Sequence, residues 1–315
     1  MIGPLVTVIT VTYNSAKYVR DAIESVLHQN YTNIEYIIGD DCSSDDTWDI
    51  IGEYRDERIK AYRNPSNMRE YPNRNKALSM ASGKYVLFID GDDMVLAHGL
   101  TYMVTMLEAF PDAGMAIVGY DCNYFIYPLE FTPEEIYKFQ FMGHGFLGYS
   151  MVGNLFRTAV LKEQGGFPTH VISGDYYIRL KICLHHKCLI IGGNPVWARA
   201  TPGQASSNVG TSKGFTELLL MNRDVIQDPL CPLNDGDRRQ ALANVLRPAA
   251  RRIVKDLLKL QWMRSITLSR ALGWGWTDIT KYFGATQDHS YMSEHNSTNL
   301  LKMDLARNPF SNNYK

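Results

Sequence analysis

The segment Lys84–Asp93 constrains the fold of this chain more than any other stretch. Residues 84–89 (KYVLFI) predict a buried strand, and Asp90, Asp92 and Asp93 follow at its carboxyl end. In α/β folds, ligands bind outside the carboxyl ends of the strands. Carboxylates this close repel one another, which favours protonation of one of them or a cation between them. The segment therefore predicts a divalent-cation site for a phosphorylated ligand.

Strand and helix patterns alternate over roughly the first 120 residues. The predicted strands are 5–12, 34–39, 58–62, 84–89 and 114–119; the predicted helices are one capped by Ser15, one opening at Asp45–Thr47, one from Pro72 to Ala81 and one over 97–110. This alternation predicts an α/β fold with a mostly parallel sheet and right-handed crossovers. From Phe215 onward the pattern is helical.

Composition excludes several classes of protein. Apolar residues make up 45% of the 315 residues and charged residues 21%, which is typical of a soluble globular protein. A net charge of −1 argues against nucleic-acid binding driven by bulk electrostatics. The five scattered cysteines favour a reducing compartment, and the first residues lack the pattern of a signal peptide. We therefore expect a cytoplasmic protein that does not bind nucleic acid.

Two later segments carry open alternatives. Residues 120–150 are rich in aromatic side chains, which favours either a mobile cover over a site or packing against the sheet. Residues 247–276 combine basic residues, apolar residues and three tryptophans. They predict either peripheral contact with the inner face of a membrane or a solvated face of a helical subdomain.

Four sequence blocks resemble family 2 glycosyltransferases with a GT-A fold. The blocks are Val6–Asn14, Asp40–Thr47, Arg74–Asn75 and Asp90–Asp93, and their order and spacing match the family over about residues 5–210. The resemblance implies a GT-A, Rossmann-like, mostly parallel sheet with a C-terminal helical extension. We expect a catalytic domain over 1–213, a helical subdomain over 214–285 and a loosely ordered polar tail over 286–315.

The resemblance implies a nucleotide-binding role for the ends of the first two strands. Thr12 and Tyr13 would lie at the base, with Tyr13 stacked on uracil. Asp41 would accept the uracil N3–H, with Asp40 close by. Arg74 would reach the nucleotide and the Asp40–Asp41 turn.

The resemblance likewise implies a metal-binding role for the acidic strand end. Asp92 would coordinate Mn²⁺ or Mg²⁺, and Asp90 would reach the ribose or the metal, with Gly91 between them at the nucleotide. Hard oxygen ligands suit both cations. The cation would neutralise the charge that builds on the departing nucleoside diphosphate.

Asp175 is the implied catalytic base. It follows Gly165-Gly166-Phe167 at the start of a predicted helix, where the family has an aspartate that deprotonates the acceptor hydroxyl. Three departures from the family pattern stand out. Gly174 occupies the position of a common Glu, Thr201 that of a common His near the diphosphate, and Asn67-Met68-Arg69 that of an Asn-x-Gly loop.

We expect an inverting glycosyltransferase that uses a nucleotide sugar, most simply a UDP-sugar. The resemblance implies polysaccharide, lipid-linked glycan or protein acceptors. Three alternatives stay open: a nucleotide-sugar binder that has lost turnover, a membrane-associated scaffold acting through its basic C-terminal helices, and a nucleotidyltransferase on a similar sheet.

Overall fold

The computed structural model describes residues 3–119, 127–143, 145–148, 150–201 and 211–285. The strands are β1 (Val6–Thr12), β2 (Ile34–Asp40), β3 (Ile59–Arg63), β4 (Tyr85–Phe88), β5 (Met94–Val95), β6 (Ala113–Val118), β7 (Leu129–Phe131), β8 (Leu155–Arg157), β9 (Lys187–Ile191) and β10 (Val196–Trp197). The helices are α1 (Val19–Leu27), α2 (Thr47–Gly52), α3 (Glu70–Met80), α4 (Gly99–Ala109), α5 (Pro133–Met142), α6 (Thr158–Glu163), α7 (Gly174–Ile182), α8 (Ser212–Gln227), α9 (Asp235–Leu258), α10 (Trp262–Leu272) and α11 (Trp276–Phe283).

Eight strands form one central sheet in the order β3-β2-β1-β4-β8-β6-β9-β7. The ladders β1–β2, β1–β4, β2–β3 and β6–β9 are parallel. Strand β8 lies antiparallel between β4 and β6, and β7 is an antiparallel edge. The predicted α/β class with a mostly parallel sheet is therefore confirmed.

Helices cover both faces of the sheet, because successive residues of the buried strands point to opposite faces. In β1, Val6 and Val8 pack in one apolar cluster with α1 and α4. Ile9 and Val11 pack in the opposite cluster with α3, α5 and α7. The sheet thus fixes the strand ends between two apolar layers.

The start of helix α1 differs from the prediction. The sequence predicted a cap by Ser15, but the helix begins at Val19 with Tyr18 as its N-cap. The Ser15 hydroxyl donates to the Tyr13 carbonyl instead, and the Ser15 backbone carbonyl accepts from the amides of Tyr18 and Val19. A backbone turn therefore satisfies the helix end that a side chain was expected to cap.

The described part of the aromatic segment packs in the core. Phe131, Phe139 and Phe146 are buried with ring centroids 4.8–5.7 Å apart. This supports packing over a mobile cover for these residues; 120–126, 144 and 149 lie outside the described residues.

Helices α8 to α11 form the C-terminal extension. Met221 and Val225 of α8 share the apolar cluster of the sheet, whereas Ile253 and Leu268 lie in a separate cluster with α8 and α11. The predicted division at residues 213 and 285 stays a prediction, and the predicted polar tail 286–315 lies outside the described residues. No helix in the described ranges is long and apolar enough to cross a membrane.

Candidate active site

The candidate site lies where the sheet order reverses. Strand β1 pairs with β2 on one side and with β4 on the other. The chain therefore adds β2 and β3 on one side of β1 and then continues with β4 on the other side. Such a reversal in a parallel sheet opens a crevice at the carboxyl ends of the strands. Tyr13, Asp41 and Asp90 follow β1, β2 and β4 closely and therefore meet at this crevice.

Asp40 organises the loop after β2 from within. Its carboxylate is fully buried, accepts bonds from the Ser43 backbone amide and hydroxyl, and pairs with Arg63 at 3.1 Å. The Ser43 hydroxyl also accepts from the Asn14 amide at 2.9 Å. Asp40 therefore holds the ends of β1 and β2 together.

Asp41 faces the loop that precedes α3. Its Oδ1 accepts from Asn64 Nδ2 at 2.8 Å and from the Met68 amide at 2.9 Å, and its Oδ2 accepts from the Arg69 amide at 2.8 Å. Each carboxylate oxygen offers two lone pairs, so the carboxylate can accept one further N–H at Oδ2. Asp41 is thus oriented by three donors and retains the capacity that a base N–H requires.

Tyr13 and Thr12 occupy opposite environments at the end of β1. The Tyr13 ring is half-exposed at 50%, as a ring that stacks on a planar ligand would be. Thr12 is buried and packs on Gly91, where an added Cβ would come within 2.5 Å of Thr12 Oγ1. Glycine is therefore required at position 91 for the acidic loop to approach β1.

The buried guanidinium of Arg74 pairs with the carboxylate of Asp90. Its guanidinium is only 1% exposed, and Nη2 lies 2.7 Å from Asp90 Oδ1, 2.9 Å from Asp90 Oδ2 and 3.0 Å from Glu70 Oε1. Burial lowers the pKa of Arg74, but Asp90 and Glu70 outweigh it and the net shift is upward. Among the described residues Arg74 makes no bond to the Asp40–Asp41 turn, because the loop before α3 already supplies that turn's donors.

Asp92 contacts the segment that follows β10. The Thr201 hydroxyl donates to Asp92 Oδ2 at 2.8 Å, and Arg199 Nε donates to the Asp92 carbonyl at 3.0 Å. The antiparallel pair β5–β10 brings this segment to the acidic loop. Thr201, predicted at the position of a histidine, therefore lies directly beside the predicted metal ligand.

Asp93 is the buried acid of the loop. Its Oδ1 accepts from the Arg199 amide at 2.8 Å. Burial and the carboxylate of Asp90 raise the pKa of Asp93 to about 7. The loop therefore carries less negative charge near neutral pH than its three aspartates suggest.

Asp175 lies in the first turn of α7 and is held on both sides. Arg179, one turn later and 1% exposed, places Nη2 2.9 Å from Asp175 Oδ2. The Tyr71 hydroxyl lies 2.9 Å from the Ile172 carbonyl oxygen and 3.2 Å from Asp175 Oδ1, and it accepts from the Gly174 amide at 2.8 Å. The carboxylate is thus fixed in direction while its side chain remains 22% exposed.

One turn of α3 connects the acidic loop to the candidate base. Tyr71 reaches Asp175, and Arg74, three residues later on the same helix face, reaches Asp90. The Tyr71 ring also explains the glycine at position 174, where a Cβ would lie 3.0 Å from the ring and 2.9 Å from the Pro168 carbonyl oxygen.

The acidic loop fits a divalent cation that is shared with a ligand. The described residues contain no group of three or more His, Cys, Asp or Glu side chains that could hold an ion alone. Mg²⁺ bound with a nucleotide needs only one or two carboxylates, since phosphate oxygens and water complete its shell. Asp92 supplies a hard oxygen ligand of this kind, and Asp90 lies two residues away but is neutralised by Arg74.

Sequence reasoning missed the residues that position these carboxylates. They are Glu70, Tyr71, Arg179 and Arg199. The i,i+4 spacing of Asp175 and Arg179 in a predicted helix was a readable signal for their ion pair. The contacts of Tyr71 and Arg199 join segments about 100 residues apart, and no local pattern indicates them.

Comparison with known proteins places these features in a family. The family model described as Glycosyl transferase family 2 matches residues 7–165, about half of the chain. This chain belongs to glycosyl transferase family 2. The matched range includes the family 2 segments that carry Asp41, Arg74 and Asp92, whereas Asp175 lies beyond it.

Two curated relatives share the N-terminal part of this family 2 chain. It is 41% identical over 124 residues to the putative teichuronic acid biosynthesis glycosyltransferase TuaG of Bacillus subtilis (strain 168), covering 38% of this chain and 49% of TuaG. It is 39% identical over 104 residues to the UDP-Glc:alpha-D-GlcNAc-diphosphoundecaprenol beta-1,3-glucosyltransferase WfaP of Escherichia coli, covering 33% and 41%. The chain thus matches half or less of the length of these relatives.

A solved structure shows the same fold. The complex of S. aureus TarS 1–349 with UDP-GlcNAc superposes with a TM-score of 0.67 at 22% identity, covering 88% of this chain and 81% of TarS. The predicted GT-A fold with C-terminal helices is therefore confirmed.

Proposed function

We propose that this chain is an inverting glycosyltransferase that moves a sugar from a UDP-sugar to an acceptor hydroxyl, with Asp175 as the general base. The observation that carries the proposal is the link through α3, in which Tyr71 contacts Asp175 and Arg74 contacts Asp90. A donor held at the acidic loop and an acceptor held at Asp175 would then meet over one turn of a rigid helix.

The ends of β1 and β2 support a nucleotide base at the crevice. Asp41 can accept one more N–H, and the exposed ring of Tyr13 offers a stacking surface. Uracil presents one N–H between two carbonyls, which suits a single remaining acceptor. TarS, with a similar fold, was solved with UDP-GlcNAc.

The proposed reaction is one displacement at the anomeric carbon. Asp175 takes the proton of the acceptor hydroxyl as its oxygen forms the new bond to that carbon. The bond between the anomeric carbon and the phosphate oxygen breaks on the opposite side, and UDP leaves with the electron pair. Attack opposite the leaving group inverts the configuration.

Asp92, with Asp90 nearby, would hold Mn²⁺ or Mg²⁺ together with the diphosphate. When bound, the cation neutralises negative charge on the leaving group. The Thr201 hydroxyl, bonded to Asp92 Oδ2, would keep that carboxylate oriented.

We propose a lipid-linked acceptor for this reaction. The name of the relative WfaP includes alpha-D-GlcNAc-diphosphoundecaprenol, a sugar attached to a lipid through a diphosphate. An acceptor with such a lipid stays in a bilayer, so the proposed enzyme would work in the cytoplasm at the inner face of a membrane.

Nucleotide binding tests the donor side of the proposal. Calorimetric titration with UDP, GDP, CDP and ADP, with and without Mn²⁺, is expected to show tightest binding for UDP with the cation. Asp92→Asn should remove the effect of Mn²⁺, whereas Asp112→Asn, an exposed acid paired with Lys187, should leave it unchanged. Equal affinity for all four nucleotides, or Mn²⁺-independent binding by the wild type, would contradict the proposal.

A further inference from the structure

The turn between α9 and α10 exposes a run of apolar side chains. Leu258 is 81% exposed, Leu260 72%, Trp262 55% and Met263 75%. These four lie within six consecutive residues, 258–263, which we call the apolar turn. Large apolar side chains gathered on an exposed surface are characteristic of an interaction site.

Internal bonds pair several backbone groups of the apolar turn. The amide of Leu260 donates to the Leu257 carbonyl at 3.0 Å, and the amide of Gln261 donates to the Asp256 carbonyl at 2.8 Å. The Gln261 carbonyl accepts from the amides of Arg264 and Ser265. These groups would keep their partners if the turn entered an apolar medium, which lowers the cost of insertion.

The helices beside the turn use their own apolar faces internally. Ile253 and Leu268 are buried in the cluster of the C-terminal helices, and Val254 and Leu257 pack against it. Helices lying flat on a membrane over 247–276, one of the two alternatives that the sequence left open, would need those faces. The exposed apolar surface is therefore the tip of the helix pair rather than the side of α9.

Basic side chains surround the apolar turn. Lys259 lies within it, Lys255 and Arg264 lie on either side of it in the chain, and all three are exposed; the acid within 255–264 is Asp256. Lysine and arginine next to inserted apolar residues strengthen binding to anionic lipid headgroups. An apolar turn with basic neighbours fits an anionic bilayer better than a second copy of this chain, whose net charge is only −1.

We propose that the apolar turn inserts into the surface of an anionic bilayer, with Lys255, Lys259 and Arg264 at the headgroups. This anchoring goes beyond the proposed transfer reaction and does not depend on which sugar is moved. It would carry the catalytic sheet to the bilayer in which a lipid-linked acceptor resides.

Vesicle co-sedimentation of the full chain tests the anchoring. The wild type should bind phosphatidylcholine vesicles containing about a third phosphatidylglycerol, and binding should fall with added salt. Leu260→Asp with Met263→Asp should lower the partition coefficient about tenfold or more. Leu260 has φ +57°, a conformation that aspartate tolerates, so the double variant should fold.

Controls separate anchoring from other effects. Leu230→Asp, which alters another highly exposed leucine, should bind vesicles like the wild type. Calorimetric UDP binding without vesicles should be equal in all variants, so loss of anchoring and loss of the donor site are distinguishable. Unchanged co-sedimentation of the double variant with vesicles would overturn the proposal. It would also be overturned if the wild type did not bind vesicles but formed a dimer that the double substitution dissociates.

Discussion

Two buried arginines each commit a guanidinium to one carboxylate of the candidate site. Arg74 pairs with Asp90, and Arg179 pairs with Asp175. Desolvating a guanidinium is costly unless charged oxygens replace the lost water, so each pair is tightly coupled. Arg74 belongs to one of the four sequence blocks, whereas Arg179, which holds the proposed base, lies outside all of them.

Removal of the Arg179 charge should weaken turnover more than donor binding. Arg179→Met leaves Asp175 without its charged partner, so the carboxylate loses its fixed direction. We expect kcat to fall about 10- to 100-fold with UDP affinity unchanged. Lys181 lies on the same helix as Arg179 and pairs with Asp228 at the end of α8. Lys181→Met breaks that ion pair, is the matched control and should retain kcat.

The Tyr71 hydroxyl should also raise kcat by fixing the direction of the Asp175 carboxylate. Tyr71→Phe keeps the ring that stacks on Phe167. It removes the hydroxyl contacts with Ile172, Gly174 and Asp175. We expect kcat to fall about tenfold and UDP affinity to stay the same. Tyr102→Phe, which removes a hydroxyl bond to the Gly192 carbonyl, should leave kcat unaffected. Equal kcat in both variants would remove Tyr71 from the positioning role.

Asp93 should make the free energy of unfolding depend on pH. Burial and Asp90 raise its folded pKa to about 7, above the ordinary value of 3.8. The folded state then holds a proton that the unfolded state releases, so this contribution to stability is complete at low pH and is lost as pH rises from about 4 to about 7.

Asp93→Asn removes that dependence and keeps the acceptor for the Arg199 amide. Denaturant titrations with a metal chelator present should give the variant a free energy of unfolding roughly 1–4 kcal/mol above that of the wild type near pH 8. The two values should be equal near pH 4. A variant that is less stable than the wild type near pH 8 would show that the fold stabilises the ionised carboxylate, so that the pKa of Asp93 is not raised.

At the scale of elements, a pair of two-residue strands and one loop bring segments that are distant in sequence to the site. Strands β5 and β10 have two residues each, yet their pairing places Arg199 and Thr201 beside Asp92 and Asp93. The loop before α3 folds over Asp41 through two backbone amides. The geometry of the crevice therefore depends on short strands and irregular backbone as well as on helix α3.

Gly91→Ala should test the contact between the acidic loop and β1. A Cβ at position 91 would lie 2.5 Å from Thr12 Oγ1 and 3.1 Å from Ser15 Oγ, so the loop must move outward. We expect Mn²⁺-dependent UDP affinity to drop about tenfold, measured by calorimetry. Gly52→Ala, where a Cβ would meet no atom within 4 Å, is the control and should bind like the wild type.

The long elements could be predicted from the sequence, but several short ones could not. Strand β1 and helix α4 show strong apolar patterns, and they lie close to their predicted bounds. The three-residue strand β8 was missed because its identity comes from antiparallel pairing with β4 and β6 rather than from its own pattern. Short strands depend on their neighbours in the sheet.

For the molecule as a whole, the sheet order explains why the predicted residues converge. Tyr13, Asp41 and Asp90 belong to three separate blocks, and the reversal at β1 brings the three strand ends together. The blocks therefore predicted that these residues lie at one edge of the sheet. They could not predict that Arg74 pairs with Asp90, since that depends on which groups already surround Asp41.

The C-terminal helices add a second surface to this plan. Their apolar faces close on one another and on the sheet domain, while the apolar turn between α9 and α10 stays exposed. The proposed enzyme thus separates donor chemistry at the sheet from anchoring at the helix tip.

The central claim is tested most directly by release of UDP from a UDP-sugar, with and without acceptor, in the wild type and in Asp175→Asn. The substitution keeps the size of the side chain but removes the base, so turnover should fall by about a thousandfold or more while calorimetric UDP affinity stays within about twofold. Asp228 pairs with Lys181, which lies on the same helix as Asp175. Asp228→Asn is the control and should turn over like the wild type. Transfer at the wild-type rate by Asp175→Asn would contradict the account.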